Sequence, residues 1–510
     1  MSTILRHGLP VLTAIGVLAA MALTVSPSQP AAAQAVKLKK IKTATSITAQ
    51  ERQQGDGYHP QLMAEFGGAY TGPQAAYVTR VGQNIAVQSG LSGARTDFTV
   101  TLLNSPVNNA FAIPGGYVYV TRQLLGLMND EAELAGVLGH EVGHVAARHS
   151  KRRQDAATRN TILGVLGTVL GGAIGDSGGL LGGLGGLLEN SSMQIAQAAT
   201  LGFSRGQELE ADQLGAQYLV SAGYDPAALA SMLASLANQT ALDARVAGRD
   251  SRSLPAWAST HPDPASRVQR AAAVARQING NRGGNRNAAA FLAAIDGTLY
   301  GDDPNQGVIE GNEFLHPDLK LRFAVPAGYG MQNGATAVTV AGTNGQAQFT
   351  FAPYTGDMNA YVDAAFKKLG GETRIPYGEV RRTTINGLLA AYANARVNTQ
   401  SGQVDVAVFA YEFARDRAYH FVALAPAGQM RGFDPMFASV RRMTDGEARG
   451  VRPRRLDVIT VGRGDSMASL AQRMAYTTYQ AERFQVLNGL PANAVLTPGQ
   501  KVKIIVYGSR

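Results

Sequence analysis

The chain has 510 residues, of which 45% are apolar and 16% charged, with 59 glycines, no cysteine and a formal net charge of +9. That length predicts about three domains, each able to bury a core, and the apolar content excludes a collagen-like or disordered chain. Without cysteine there is no disulfide scaffold, thiolate zinc finger, iron–sulfur cluster or cysteine nucleophile, so any metal must be held by His, Asp or Glu. There are eight histidines, and His140, His144 and His149 fall within ten residues of one another. The charge is uneven: residues 441–510 carry twelve Lys and Arg against five Asp and Glu, or +7, which leaves +2 for the rest. A basic tail suits an acidic partner such as cell-wall polymer, anionic lipid or nucleic acid, against the plain reading of a solvated charged face.

In chain order, Arg6 precedes an apolar stretch from Gly8 to Val25, then prolines and the alanine cluster Ala31-Ala32-Ala33-Gln34-Ala35. A positive start, an apolar core and a small-residue A-x-A site predict a secretory signal peptide over residues 1–33, with an uncleaved anchor as the rival. No other stretch reads as a membrane span. From Gln74 to Gln88 apolar residues recur at helical spacing, and Phe98 to Leu103 alternates as a strand. Ala110 to Val120 is β-branched and aromatic around Pro114-Gly115-Gly116, which predicts an edge strand or hairpin. A helix starts near Asn129, where Asp130 and Glu133 have capping-box spacing.

His140-Glu141-Val142-Gly143-His144 lies in that helix. At about 100° per residue the two histidines stand about 40° apart and one turn apart in height, so both imidazoles can reach one ion. Glu141 beside them can take a proton from a water acidified by zinc. His149, nine residues after His140, falls about 180° around a continued helix and faces away, and the residue ten after His140 is Ser150, which excludes the metzincin arrangement. A third ligand must come from elsewhere. Phe203 to Asp212 opens another helix, with Ser204 and Gln207 as a capping box, and places Glu208 and Asp212 four apart on one face. Glu208 as ligand with Asp212 orienting the site satisfies the geometry, while Glu210, about 200° from Glu208, is expected to face solvent. Between the two helices, residues Ile162 to Leu188 include 11 glycines among 27 residues and read as a mobile apolar loop over a cleft or as an insertion without function.

H-E-V-G-H followed by S-R-x-x-E-x-E-A-D, and preceded by N-A-F-A-I-P-G-G at Asn109 to Gly116, resembles the HtpX-like and BepA-like zinc endopeptidases, the clan that also contains the CAAX-prenyl proteases. The likeness covers roughly residues 50–275. It implies one zinc ion per chain held by His140, His144 and Glu208, with Glu141 as general base and Asp212 in support. It also implies that Asn109, Ala110, Phe111 and Ala112 pair with an extended substrate backbone. The family's S-T-H-P loop is matched at Ser259 to Pro262. His261 is then an oxyanion stabiliser, a removable fourth zinc ligand, or a loop residue that caps a turn. The resemblance is to the soluble periplasmic branch, without its tetratricopeptide repeats, since no 34-residue period is present.

Asn279 to Asn287 reads as a linker, within residues 277–300, and residues 310–445 as an α+β domain of unknown role, with strands at Ala337 to Val340, Gln348 to Phe351, Val404 to Phe413 and Tyr419 to Leu424 and a helix at Met358 to Leu369. His316 and His420 there are read as structural. After a basic linker at Glu447 to Arg455, residues 456–507 read as strand, helix, helix, strand, with Asp465 or Ser466 as the first helix cap. This βααβ unit resembles a lysin-motif (LysM) domain, departing from the pattern at Tyr476 to Glu482, and the resemblance implies peptidoglycan as a partner. The chain is thus expected to be α+β overall: a mainly helical zincin-type domain over 50–276 with a small edge-strand sheet, the middle domain and the LysM-like tail. The expected function is periplasmic zinc endopeptidase action on unfolded or misassembled envelope proteins, with no nucleic-acid partner and no membrane span after signal cleavage. The rival is a non-proteolytic chaperone or wall-tethered scaffold using the same cleft.

Overall fold

The helix that carries the two paired histidines, α4 (Glu131–Ala146), is buried along its whole length, every residue but Val145 being covered. A helix apolar on nearly all sides belongs at the centre of a domain, and the computed structural model, which describes residues 36–153, 202–246, 261, 264–371, 374–399 and 402–509, places it there. The segments read as a signal peptide and as a glycine-rich loop lie outside the described residues. Among those described, no helix is long and apolar enough to cross a membrane.

Before α4 come α1 (Ala49–Glu65), α2 (Gln74–Ala86), the strands β1 (Thr99–Leu103), β2 (Ala110–Ile113) and β3 (Tyr117–Thr121), and the short helix α3 (Arg122–Leu127). The sheet order is β1-β3-β2, with β1 parallel and β2 antiparallel to β3, so β2 is an edge as its proline predicted. Gly115 and Gly116, at φ 95° and 84°, make the β2–β3 turn that a side chain would strain. Asp130 caps α4 by accepting from the Glu133 amide. After α4 come α5 (Arg205–Ser221), α6 (Ala228–Val246) and α7 (Pro264–Asn279). Helix α5 lies close against α4 because both are glycine there: a Cβ on Gly215 would stand 3.1 Å from the His140 amide nitrogen.

The segment expected to be a linker is only partly one. Residues Asn279 to Asn287 are a mostly exposed turn, but α8 (Ala288–Ile295) follows, with Phe291 and Ile295 buried in the α4 core, and then β4 (Leu299–Tyr300). Its apolar run A-A-A-F-L-A-A-I has a face to bury, and the neighbouring polar residues concealed it. Likewise Asp445–Gly450, at the start of the second expected linker, is a short capped helix.

The middle of the chain forms a seven-stranded antiparallel sheet from β5 (Tyr329–Asn333), β6 (Val338–Gly342), β7 (Gly345–Pro353), β8 (Arg381–Ile385), β9 (Leu388–Thr399), β10 (Gly402–Ala414) and β11 (Arg417–Pro426), in the order β8-β9-β10-β11-β7-β6-β5. Helix α9 (Met358–Gly370) covers one face. A smaller four-stranded sheet, through Phe314, Leu321 and Phe323, packs with Phe433 and Phe437 on the other. His420 is structural, as expected, buried with its Nδ1 3.0 Å from the Tyr361 hydroxyl.

The tail is β12 (Arg454–Thr460), α10 (Met467–Gln472), α11 (Gln480–Leu487) and β13 (Lys501–Tyr507), with Ser466 as the α10 cap. It is not a separate bead. The outer edge of β12 pairs with β4, and Leu456, Leu470, Phe484 and Ile504 share one continuous core with Leu134 and Leu138 of α4. Lys503, fully buried, donates through Nζ to the carbonyls of Gly126 (2.9 Å) and Met128 (2.6 Å), closing the end of α3. Burial pushes this ammonium down to about 7, against the pull of Glu133 and Asp130. The unfolded chain therefore binds more protons than the folded one between about pH 7 and the ordinary lysine value near 10.5, and the group adds stability as pH rises through that interval. Against a Lys503→Met variant, the denaturation midpoint of the wild type should gain steadily from about pH 7 to about pH 10, as followed by urea titration.

Candidate metal centre

Helix α4 brings the Nε2 atoms of His140 and His144 to 3.1 Å, and α5 sets the Glu208 carboxylate 3.6 Å from the first and 3.4 Å from the second. His261 completes the cluster, with Nδ1 3.2 Å from both Glu208 oxygens. One ligand atom from each of these four residues lies within 4.8 Å of the others, and all four are buried. Two imidazoles and a carboxylate whose ligand atoms converge are a donor set for a divalent metal. The set fits an ion for a second reason: Glu141, 1% exposed, has its Oε1 buried without a hydrogen-bond partner, 3.5 Å from His261 Nε2. A buried carboxylate oxygen that has an imidazole nearby but accepts no hydrogen bond has water or substrate as its natural donor.

Arg267 of α7, for which no local pattern suggests a role, is the counter-charge. Its guanidinium donates to Glu208 Oε2 (2.5 Å) and grips Asp212 with Nε (2.9 Å) and Nη2 (2.5 Å). Asp212 in turn stands 3.0 Å from His140 Nδ1, which leaves the Nε2 lone pair of that ring for the metal. The electrostatics follow from this packing. Burial disfavours the charged forms of Glu208 and Asp212, but His261, His144 and Arg267 hold Glu208 well below the ordinary carboxylate range, and Arg267 with His140 brings Asp212 down to about 2. Glu141, with the same burial and weaker compensation from His261 and His140, is pushed up. Burial drives His144 well down, toward the neutral state a ligand needs, whereas His261 is raised because Glu208 and Glu141 outweigh its burial.

The residues expected to hold the metal thus meet at one point. Two other expectations are corrected. His149 does not face away, because α4 ends at Ala146 and Arg148 takes a left-handed φ of 51°, so a helical wheel no longer applies there. Its Nδ1 lies 2.9 Å from His144 Nδ1, and Glu210, expected in solvent, meets His149 Nε2 at 3.2 Å. Phe203, just ahead of α5, stacks on the His144 ring with centroids 3.9 Å apart. Asn109, Ala110, Phe111 and Ala112 lie in or beside the edge strand β2, which packs next to α4, and all four side chains are buried. Asn109 Oδ1 is a buried acceptor with no partner.

A buried helix pair presenting H-E-x-x-H and a downstream carboxylate to one point defines a zincin-type metallopeptidase fold. Residues 73–275 match the model of Peptidase family M48 and residues 459–504 that of the LysM domain, so the chain carries a peptidase M48 domain followed by a LysM domain. A beta-barrel assembly-enhancing protease of Yersinia pestis is 32% identical over 265 residues, 51% of this chain and 51% of that protein. The protein of the same name from Escherichia coli (strain K12) is 30% identical over 243 residues, 45% of this chain and 44% of that one. The mitochondrial metalloendopeptidase OMA1 of Schizosaccharomyces pombe is 33% identical over 231 residues, 44% and 60% of the two chains. The chain spans about half the length of the beta-barrel assembly-enhancing proteases it matches.

Removing Arg267 would leave two buried carboxylates without their cation. Arg267→Gln should cost the metal-free protein about 3–5 kcal/mol, read from the denaturant midpoint at neutral pH. In the wild type the Asp212 contribution is present above about pH 4 and lost as pH falls toward about 2. In the variant that acid-dependent loss should shrink, because without Arg267 burial is no longer outweighed and the folded state holds Asp212 less far below its unfolded value.

Proposed function

We propose that the protein is a zinc-dependent endopeptidase of the cell envelope, exported to the periplasm by residues 1–33 and acting on unfolded or misassembled envelope proteins. The observation that carries the reading is the convergence of His140, His144 and Glu208 beside the unpartnered carboxylate oxygen of Glu141. Zinc suits two imidazoles, a carboxylate and one further position, and when bound supplies the charge that acidifies a water and polarises a peptide carbonyl. The rest falls to the chain. Glu141 takes the proton of the attacking water and returns it to the leaving amine, and burial, by raising its proton affinity, favours the first of these transfers. Asp212 keeps His140 oriented, and Arg267 keeps the Glu208 carboxylate ionised.

An extended peptide would add to the outer edge of β2, through main-chain pairing beside Ala110, Phe111 and Ala112, with the Asn109 amide oxygen as a further acceptor. His261 is assigned as a removable fourth ligand: its ring nitrogen lies within 4.8 Å of the other three donors, and because Glu208 and Glu141 raise its proton affinity against burial, a proton competes with the metal for it. The working division is a protease domain over 50–276, a middle domain over 310–445 and a tail over 456–507 that binds peptidoglycan. A strand-holding chaperone or scaffold would have no use for Glu141.

Glu141→Gln should lower kcat for an unfolded casein substrate by roughly 10²–10⁴-fold while zinc content stays at one per chain. Zinc-loaded wild type that cleaves no faster than this variant would remove the protease reading. His261→Ala should leave kcat equal or higher if His261 caps the metal, and lower it if His261 steadies the oxyanion.

A further inference from the structure

The two metal-binding imidazoles are supported differently. His140 Nδ1 meets a carboxylate directly, whereas His144 Nδ1 meets another histidine. His144 turns Nε2 toward Glu208 and His140, so as a neutral ligand it must carry its proton on Nδ1 and donate there. The atom 2.9 Å away, His149 Nδ1, must then be the acceptor, which places the His149 proton on Nε2. That nitrogen is 3.2 Å from Glu210 Oε2, and the same oxygen accepts from Arg152 Nη1 at 2.8 Å, with Lys39 Nζ 3.8 Å from Oε1. The donors therefore run one way from the metal side outward, His144 to His149 and His149 to Glu210, and the relay ends on that carboxylate, which also accepts from Arg152 and has Lys39 beside it.

The local fold builds this. The left-handed turn at Arg148, held by the Glu51 carboxylate (2.8 Å to Nε), returns the chain so that His149 sits beside the last turn of α4. Gln207 Nε2 donates to the His149 carbonyl at 3.1 Å. His149 is 0% exposed, so no water can replace its acceptor nitrogen. The three acids Glu208, Glu210 and Asp212 of α5 then have three tasks: one faces the metal, one fixes His140, and one fixes His144 through His149.

We infer that His149 and Glu210 are positioning residues that lock the tautomer and ring orientation of His144 as a metal ligand through a one-way hydrogen-bond relay. The inference rests on the metal reading above. Its test is zinc affinity of the full chain, measured by competition with a chromogenic chelator, together with thermal unfolding of the metal-free protein. His149→Phe keeps the ring against Phe203 but has no acceptor, and should bind zinc about 10–100-fold more weakly. Its metal-free melting temperature should stay close to wild type. His149→Asn, whose Oδ1 can accept near the Nδ1 position, should recover most of the loss. Glu210→Ala should weaken zinc in the same direction by a smaller factor, and adding it to His149→Phe should cost nothing more, because the relay is already cut. Additive losses, or a His149→Asn variant as weak as His149→Phe, would overturn the relay. So would a His149→Phe affinity within threefold of wild type. If the wild type itself binds no zinc, the metal reading falls and the relay with it; if it binds and the variants match it, only the relay falls.

Discussion

The arrangement depends on one buried cation. Arg267 lies in the core between Glu208 and Asp212, and it is what allows carboxylates and imidazoles to share an interior that otherwise excludes charge. It reaches α5 from α7, so the ion pairs are also a tie between helices distant in sequence. Ligand geometry, the tautomer of His140 and the packing of α7 on α5 are consequently set by the same few contacts. A metal centre assembled this way is largely pre-formed: the groups that would receive an ion are held by the fold, and the same packing lowers the proton affinity of both Glu208 and His144.

The helical bundle divides its labour by face. The glycines of α4 turn toward α5 and allow the backbones to approach, which is what brings Glu208 within reach of both imidazoles. The apolar positions of the same helix are shared with α2, α6, α8 and the tail. Because α4 has no solvated side, little of it can change without disturbing either the ligands or the core.

What could be read from the sequence follows what is local. The spacing of His140 and His144, the caps at Asp130 and Ser204, the edge strand with its Pro-Gly-Gly turn and the βααβ order of the tail all arise from neighbours along the chain. His149 lies beyond the reach of a helical wheel, because a left-handed Arg148 ends the periodicity after Ala146 and no glycine marks the break. Glu210 was lost with it, since a carboxylate opposite Glu208 has no reason to be inside until a histidine returns to meet it. Arg267 stood in plain view after His261, but nothing local says that an arginine two helices away will sit between two acids. Lys503 belongs to a basic, strand-patterned run, and its burial is a property of what the tail packs against.

That packing changes what the C-terminal unit is for. A module on a string would let the catalytic cleft wander around its anchor point, sampling any target within the string's length. Here β12 shares a sheet with β4 and a core with α4, so the spacing and the angle between the tail's outer loops and the metal ligands are properties of one solid. A partner gripped by those loops would be held at a set standoff from the metal ligands, a distance fixed by packing and not by the reach of a linker.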